Sequence, residues 1–294
     1  MRVLVTGAGG QLAADLVAAF SESGHAIVTR TRQELDITDA AVVTSAIESL
    51  APDVILNPAA YNRVDDAETD VTRAFDVNAF GPRVLAGVAR EGGITLVHFS
   101  TDYVVDGGKS TPYLETDATV PLSAYAASKL AGEFLVRATD ARHYVLRVCG
   151  LFGPAGRQTR QGNFVEKMLA AAAQGRRLRV VRDQIVAPTS TYDVAKATLR
   201  LCEAGAPYGL YHCTAEGETS WYDYACAILA LADVDACVEP VTAAEFGARA
   251  RRPAYSILDN RKLESTGVAR PRHWREALAG YIASRSLSAE IGGS

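Results

Sequence analysis

Arg2-Val-Leu-Val-Thr-Gly7-Ala-Gly-Gly10-Gln-Leu-Ala13 opens the chain and decides how the rest is read. An apolar, β-branched run passes straight into glycines and then into residues with helical spacing. Glycine tolerates the tight turn between strand and helix and lets backbone N–H groups approach an anion at the helix N-terminus. The spacing is Gly7-x-x-Gly10-x-x-Ala13, with a small residue where helix packs on strand. Gly7, Gly9, Gly10, Gln11 and Leu12 are therefore expected to cradle the pyrophosphate of a dinucleotide.

Outward from this turn, apolar runs over 3–6, 26–29, 54–56, 95–100 and 144–148 alternate with helical patterns over 11–23, 39–50, 71–91 and 124–138. That alternation predicts right-handed βαβ units. The expected fold is an α/β, doubly wound parallel Rossmann sheet over 1–150, with a return segment at about 185–213. Residues 151–184 and 214–294 are expected to form a smaller, discontinuous α/β C-terminal substrate lobe. Within it, 150–162 reads as a mobile loop, and helices are predicted over 163–174, 221–232 and 273–282. A strand is predicted over 178–181, and within the return segment a helix over 192–202 and a strand over 210–213.

Composition excludes several classes. The 294 residues are 48% hydrophobic and 22% charged, which suits a soluble globular chain with a sizeable core. A formal net charge of -4 with no dense Lys/Arg cluster argues against nucleic acid as a partner. The five cysteines form no CxxC and the five histidines no HExxH, so neither a disulfide framework nor an active-site metal is expected. No apolar run is long enough to cross a bilayer, and no leader pattern precedes the first strand. The expectation is a cytoplasmic protein without a membrane partner.

The tip of the second strand bears on the cofactor. Sites for NAD place a carboxylate there for the ribose 2′-OH; this chain has Thr29-Arg30-Thr31-Arg32. Arg30 and Arg32 suit a 2′-phosphate, so NADPH is expected, with NADH as the weaker alternative; the competing reading leaves both arginines as solvated loop residues. Asp36 and Ile37 are expected at the adenine edge. Asn57, Ala59 and Ala60, with Tyr61 after them, are expected at the nicotinamide half.

Ligands of open α/β sheets bind beyond the carboxyl ends of strands, where Ser100, Thr101 and Asp102 fall. Tyr125 and Lys129 follow on the next helix, four residues apart and so on one face. A cation there would favour the phenolate and bring Tyr125 toward its working range. Thr101 would hydrogen-bond the same substrate oxygen, and Ser100 and Lys129 would border the cofactor. An ordinary amphipathic helix is the competing reading of Tyr125-x-x-x-Lys129 taken alone.

The chain resembles the extended short-chain dehydrogenase/reductase family and, within it, the dTDP-4-dehydrorhamnose reductase family. The resemblance rests on Val5-Thr-Gly-Ala-Gly-Gly-Gln-Leu12, Leu35-Asp-Ile-Thr-Asp39, Ala60-Tyr61, Ser100-Thr-Asp-Tyr-Val104 and Ser128-Lys-Leu-Ala-Gly-Glu133. It continues through Asn163-Phe-Val165, Gly209-Leu-Tyr-His212, Ser220-Trp221, Arg251-Arg-Pro-Ala-Tyr-Ser256 and His273-Trp-Arg-Glu-Ala277. It implies Thr101, Tyr125 and Lys129 as catalytic residues and a dTDP-4-keto-6-deoxysugar as substrate. It also implies a monomer or homodimer. Thr101, Asp102, Tyr103, Asn163, Phe164, Arg251 and Arg252 would then contact that substrate; read from spacing alone, Phe164 as core and the two arginines as surface fit equally well. Some relatives dimerise around Mg²⁺, and Asp15 matches one such acidic ligand; a solvated surface charge is the alternative.

Departures from the family pattern are Val105, Ala126-Ala127, Val148-Cys149-Gly150 and Val186. All are expected around the sugar, with Gly150 leaving space where the family carries a tryptophan. Two alternatives stay open: reduction of a different dTDP-4-keto-6-deoxysugar, and a non-catalytic cofactor-binding regulatory role like that of a methionine adenosyltransferase subunit.

Overall fold

Alternation along the first strands builds a two-faced layer. The computed structural model describes residues 1–157 and 162–291. The chain runs β1 (Arg2–Val5), α1 (Gln11–Glu22), β2 (Ala26–Thr29), α2 (Ala40–Leu50), β3 (Val54–Asn57), α3 (Val71–Phe75), α4 (Gly81–Gly92), β4 (Thr95–Thr101), α5 (Ala124–Arg137) and β5 (His143–Val148). There follow α6 (Phe164–Ala173), β6 (Leu178–Val181), β7 (Ile185–Val186), α7 (Thr191–Ala204), β8 (Gly209–His212), β9 (Thr219–Ser220), α8 (Trp221–Leu231), β10 (Val238–Val241), α9 (Ala243–Phe246), α10 (Arg261–Glu264) and α11 (Trp274–Ile291).

Six strands form one parallel sheet in the order β2-β1-β3-β4-β5-β8. Val3, Val5, Leu56 and Phe99 point to one face and pack on Leu16 and Phe20 of α1 and Val194 of α7. Leu4, Ile55 and Leu96 point to the other and meet Val43 of α2, Leu85 of α4 and Val136 of α5. Helices therefore cover both faces, as a sheet hydrophobic on both sides requires. The strand order reverses between β1 and β3, which opens a crevice at their carboxyl ends.

A second core gathers Phe152, Val165, Leu169, Val180, Tyr224 and Leu278. Beside it lie the β6–β10 and β7–β9 pairs. Leu263 and Val268, although from the tail, join the core under the main sheet. Among the described residues no helix is long and apolar enough to cross a membrane.

Three expectations change. The helix predicted over 71–91 contains a π turn at Asp76–Phe80. Pro82 has no N–H to give Asn78, so regular α bonding cannot continue there. The freed Asn78 carbonyl lies so close to α5 that a Cβ on Gly132 would overlap it. The loop expected over 150–162 is packed in its first part: Phe152 is buried and bridges Ser190, and Pro154–Arg157 forms a 3₁₀ turn. Residues 158–161 of that expectation lie outside the described residues. The last helix also runs longer than its predicted 273–282.

Candidate active site

Gly7 sits where β1 ends, with φ +60°, and a Cβ there would lie 2.8 Å from the Ala59 Cα at the end of β3. Glycine alone allows this approach. Gly10 begins α1 with no side-chain cap and no acid in the first turn, so the helix keeps N–H groups for an anion. The Ala8 N–H is bonded to the Arg30 carbonyl at 3.0 Å, which ties the glycine turn to the tip of β2. A cradle of backbone donors that a single methyl would fill suits a dinucleotide pyrophosphate.

Arg30 stands half-buried at that tip, and the Arg32 side chain is 69% exposed. Asp36 lies 3.6 Å from both Arg32 and Arg73, the latter an α3 residue that the sequence reading overlooked. The Asp36 carboxyl is held below its ordinary range: burial opposes this, but bonds from Thr38 and the two guanidinium groups prevail. Ile37 is buried against Gly81 of α4, so its side chain serves the core. Ala59 lies against Gly7, and Ala60 is exposed. The Tyr61 backbone is tied on both sides to the Asn78 amide, at 2.8 and 2.9 Å. Asn57, expected beside the nicotinamide, is instead fully buried; its amide accepts from the Thr6 hydroxyl at 2.6 Å and donates to His98 at 3.2 Å.

At the end of β4 the polar groups are nearly all spoken for. The Ser100 hydroxyl, expected to face the cofactor, donates to Glu133 at 2.5 Å inside the core. Thr101 donates to Asp102 at 3.1 Å and accepts from the Tyr103 N–H at 3.2 Å, and its hydroxyl lies close enough to the Tyr125 phenol to draw that pKa down. Tyr125 is half-buried, and Tyr103 meets it edge-on at 6.2 Å between ring centroids. Lys129, 2% exposed, donates to the Phe99 carbonyl.

The electrostatics differ from expectation. Lys129 does not lower the phenol: burial first, and then the Asp102 charge, push Tyr125 up to about 12, against the pull of the nearby Thr101 hydroxyl. Burial pulls Lys129 down to about 8, although Glu133 draws it back up. A phenol in this setting enters protonated, as a proton donor must. Asp102, expected to touch substrate, is 1% exposed. Its carboxylate accepts from Ser256 at 2.6 Å, while burial raises its pKa to about 6.

Beside Tyr103 opens a cavity of about 430 Å³, walled by Phe164, Trp221, Phe246, Lys167, Arg179 and Arg252 among others. The ring centroids of Phe164 and Trp221 lie 4.6 Å apart. Of the expected contacts, Phe164, Tyr103 and Arg252 line this cavity. Asn163 does not: it is 5% exposed and caps α6, its amide bonded to Gly153 and Tyr281. Arg251 is exposed off the wall, and Arg252 is held to Asp65 at 2.8 Å. Lys167 sits one turn after Phe164, a helical spacing that flagged it in principle. Phe246 and Arg179 approach only through folding.

The departing residues also fall differently. Val105 packs with Tyr113, Leu130 and Leu258, away from the cavity. Ala126 and Val186 are buried. The space expected at Gly150 is taken: a Cβ there would lie 3.1 Å from the Trp221 ring and 3.4 Å from Pro188. The Asp15 carboxylate accepts from the Thr191 hydroxyl, and burial raises its pKa. Among the described residues no group of three His, Cys, Asp or Glu could hold a metal ion.

Comparison with known proteins agrees over nearly the whole chain. Residues 1–286 match the family described as RmlD substrate binding domain. A dTDP-4-dehydrorhamnose reductase of Aggregatibacter actinomycetemcomitans is 39% identical, covering 94% of this chain and 97% of its own. A Streptomyces antibioticus protein named "Probable dTDP-4,6-dihydroxy-2-methyloxan-3-one 4-ketoreductase" is also 39% identical, over 95% and 93%. The solved structure of a Bacillus anthracis dTDP-4-dehydrorhamnose reductase in complex with NADP superposes with a TM-score of 0.91 at 33% identity, covering 96% of this chain and 99% of that one.

Proposed function

This chain belongs to the RmlD substrate-binding-domain family, and from that membership we propose that it reduces the C4 keto group of dTDP-4-dehydro-L-rhamnose to give dTDP-L-rhamnose. It is an NADPH-dependent oxidoreductase of deoxysugar nucleotide synthesis. The observation that carries the reading is the Tyr125 phenol set beside Thr101 at the carboxyl end of β4, one ring away from the cavity.

When bound, NADPH supplies the hydride to C4. Gly7, Gly9 and Gly10, with the first N–H groups of α1, hold the pyrophosphate; Arg30 and Arg32 hold the 2′-phosphate. Thr101 steadies the substrate oxygen and Tyr125 gives it a proton. Burial favours this direction, because it keeps the phenol protonated until a stronger base forms beside it. Lys129 borders the ribose. The lobe of 151–184 and 214–294 receives the nucleotide: Phe164, Trp221 and Phe246 suit the base, and Lys167, Arg179 and Arg252 suit the diphosphate. Every group named belongs to one chain.

A second reading, reduction of another dTDP-4-keto-6-deoxysugar, draws on the 39% identity to the Streptomyces antibioticus protein. The test is NADPH oxidation with a panel of dTDP-4-keto sugars, the L-rhamno substrate generated in situ by its epimerase. Formation of dTDP-L-rhamnose with the highest kcat/KM supports the proposal. A much higher value for another sugar selects the second reading, and no turnover with any sugar nucleotide leaves a regulatory, cofactor-binding role.

A further inference from the structure

Glu133 lies one helical turn beyond Lys129 on α5 and is 1% exposed. Both of its oxygens are used. One accepts from the Ser100 hydroxyl at 2.5 Å and from the Arg147 Nε at 2.9 Å; the other accepts from the Arg147 Nη2 at 2.8 Å. Arg147, 2% exposed on β5, is pinned from its far side by His212 at 3.4 Å. His212 Nδ1 faces the Asp259 carbonyl at 3.1 Å and donates to it, so Nε2 is free to accept from the guanidinium. Burial, and then the Arg147 charge, keep this histidine neutral by pulling it down to about 3.

A buried ion pair is weak evidence for stability, since apolar residues of similar volume often do as well. Its place in the fold is more telling. Phe99, Ser100 and Thr101 are the last three residues of β4. Lys129 grips the Phe99 carbonyl and Glu133 grips the Ser100 hydroxyl. Two contacts from α5 thus hold the two residues just before Thr101 and fix the register between the strand carrying Thr101 and the helix carrying Tyr125.

We propose that Glu133, held by Arg147, is a positioning residue for the reduction: it locks the end of β4 to α5 and keeps a negative charge one turn from Lys129. This rests on the reductase reading above. The groups facing Lys129 are His98 of β4, which burial and the Lys129 charge hold neutral, with Tyr125 and Glu133 of its own helix. Glu133 is therefore the one negative charge among them, and its removal moves the Lys129 titration to lower pH.

Glu133→Gln keeps the shape, drops the charge and leaves Arg147 uncompensated. Pairing it with Arg147→Met removes that stranded charge. The expected result is a thermal midpoint lowered in the single variant and largely restored in the double, with kcat about tenfold or more below wild type in both, as for misplaced reacting groups. KM for NADPH should stay within about threefold, and the alkaline limb of kcat should move to lower pH by about one unit. Ser100→Ala, which cuts one grip and leaves the ion pair, should lower kcat by a smaller factor in a fully folded protein. Recovery of kcat together with stability in the double variant would overturn the proposal. Lys129 is also titrated by NMR without substrate. A downward move of about one unit in Glu133→Gln supports the proposal, and an unchanged midpoint refutes it. If the wild type turns over no sugar nucleotide, the reductase reading fails and this titration alone decides the role of Glu133.

Discussion

The end of β4 and the tip of β2 lie on the same edge of one sheet and are built by opposite means. At β4 the polar groups are buried and shared: Thr101 serves Asp102 and Tyr103, while Ser100 and Lys129 are bonded into the core. At β2, Arg32 is largely exposed, and Arg32 and Arg73 approach the same carboxylate at 3.6 Å. A low-dielectric site strengthens each interaction and each error. An exposed cluster is screened, and its members stand in for one another. The first arrangement suits chemistry that needs placed atoms, and the second suits recognition of a charge. Substitutions at β4 should therefore act steeply and singly, and those at β2 gently and jointly.

Tyr125→Phe tests the steep end. Turnover should fall by about 10² or more, as for loss of a positioned general acid, while NADPH binding followed by fluorescence stays close to wild type. Normal turnover would remove Tyr125 as the donor.

Asp102 tests the buried charge. Its folded pKa of about 6 stands above the ordinary 3.8, so the native state holds a proton that the unfolded chain has already lost. The stability it contributes is full below pH 3.8 and is lost as pH rises through 6. Asp102→Asn cannot titrate, so its thermal midpoint should decline less than that of wild type between pH 4 and 6, by a few degrees. Parallel curves would show that the carboxyl is not held up there.

Arg30→Ala with Arg32→Ala tests the exposed tip. The preference for NADPH over NADH should drop by roughly tenfold to a hundredfold, the worth of charge-assisted contacts, and each single change should cost less. Equal dissociation constants for the two cofactors in the unmodified protein would break the comparison at β2.

The smallest effect is expected far from both. Arg177, its side chain 71% exposed, pairs with Glu239 at 2.8 Å. Arg177→Ala should shift stability by under about 1 kcal/mol by thermal melting.

By itself the sequence determined the alternating strands and helices of the sheet, the glycine turn, and the grouping of Thr101, Tyr125 and Lys129 at one strand end. These depend on local periods and short spacings: two for strands, four on a helix face, a glycine where φ is positive. The tertiary structure alone decided which polar groups face outward. Asn57, Ser100, Asp102 and Asn163 read as ligand contacts because their types suit ligands, yet each meets a partner that folding brings beside it: Thr6, Glu133, Ser256 and Tyr281. Buried polar groups must be satisfied, and the satisfying residue is set by packing across the sheet, not by spacing along the chain. The same holds for Gly150, whose missing side chain reads as open space until Trp221, 71 positions later in the sequence, fills it.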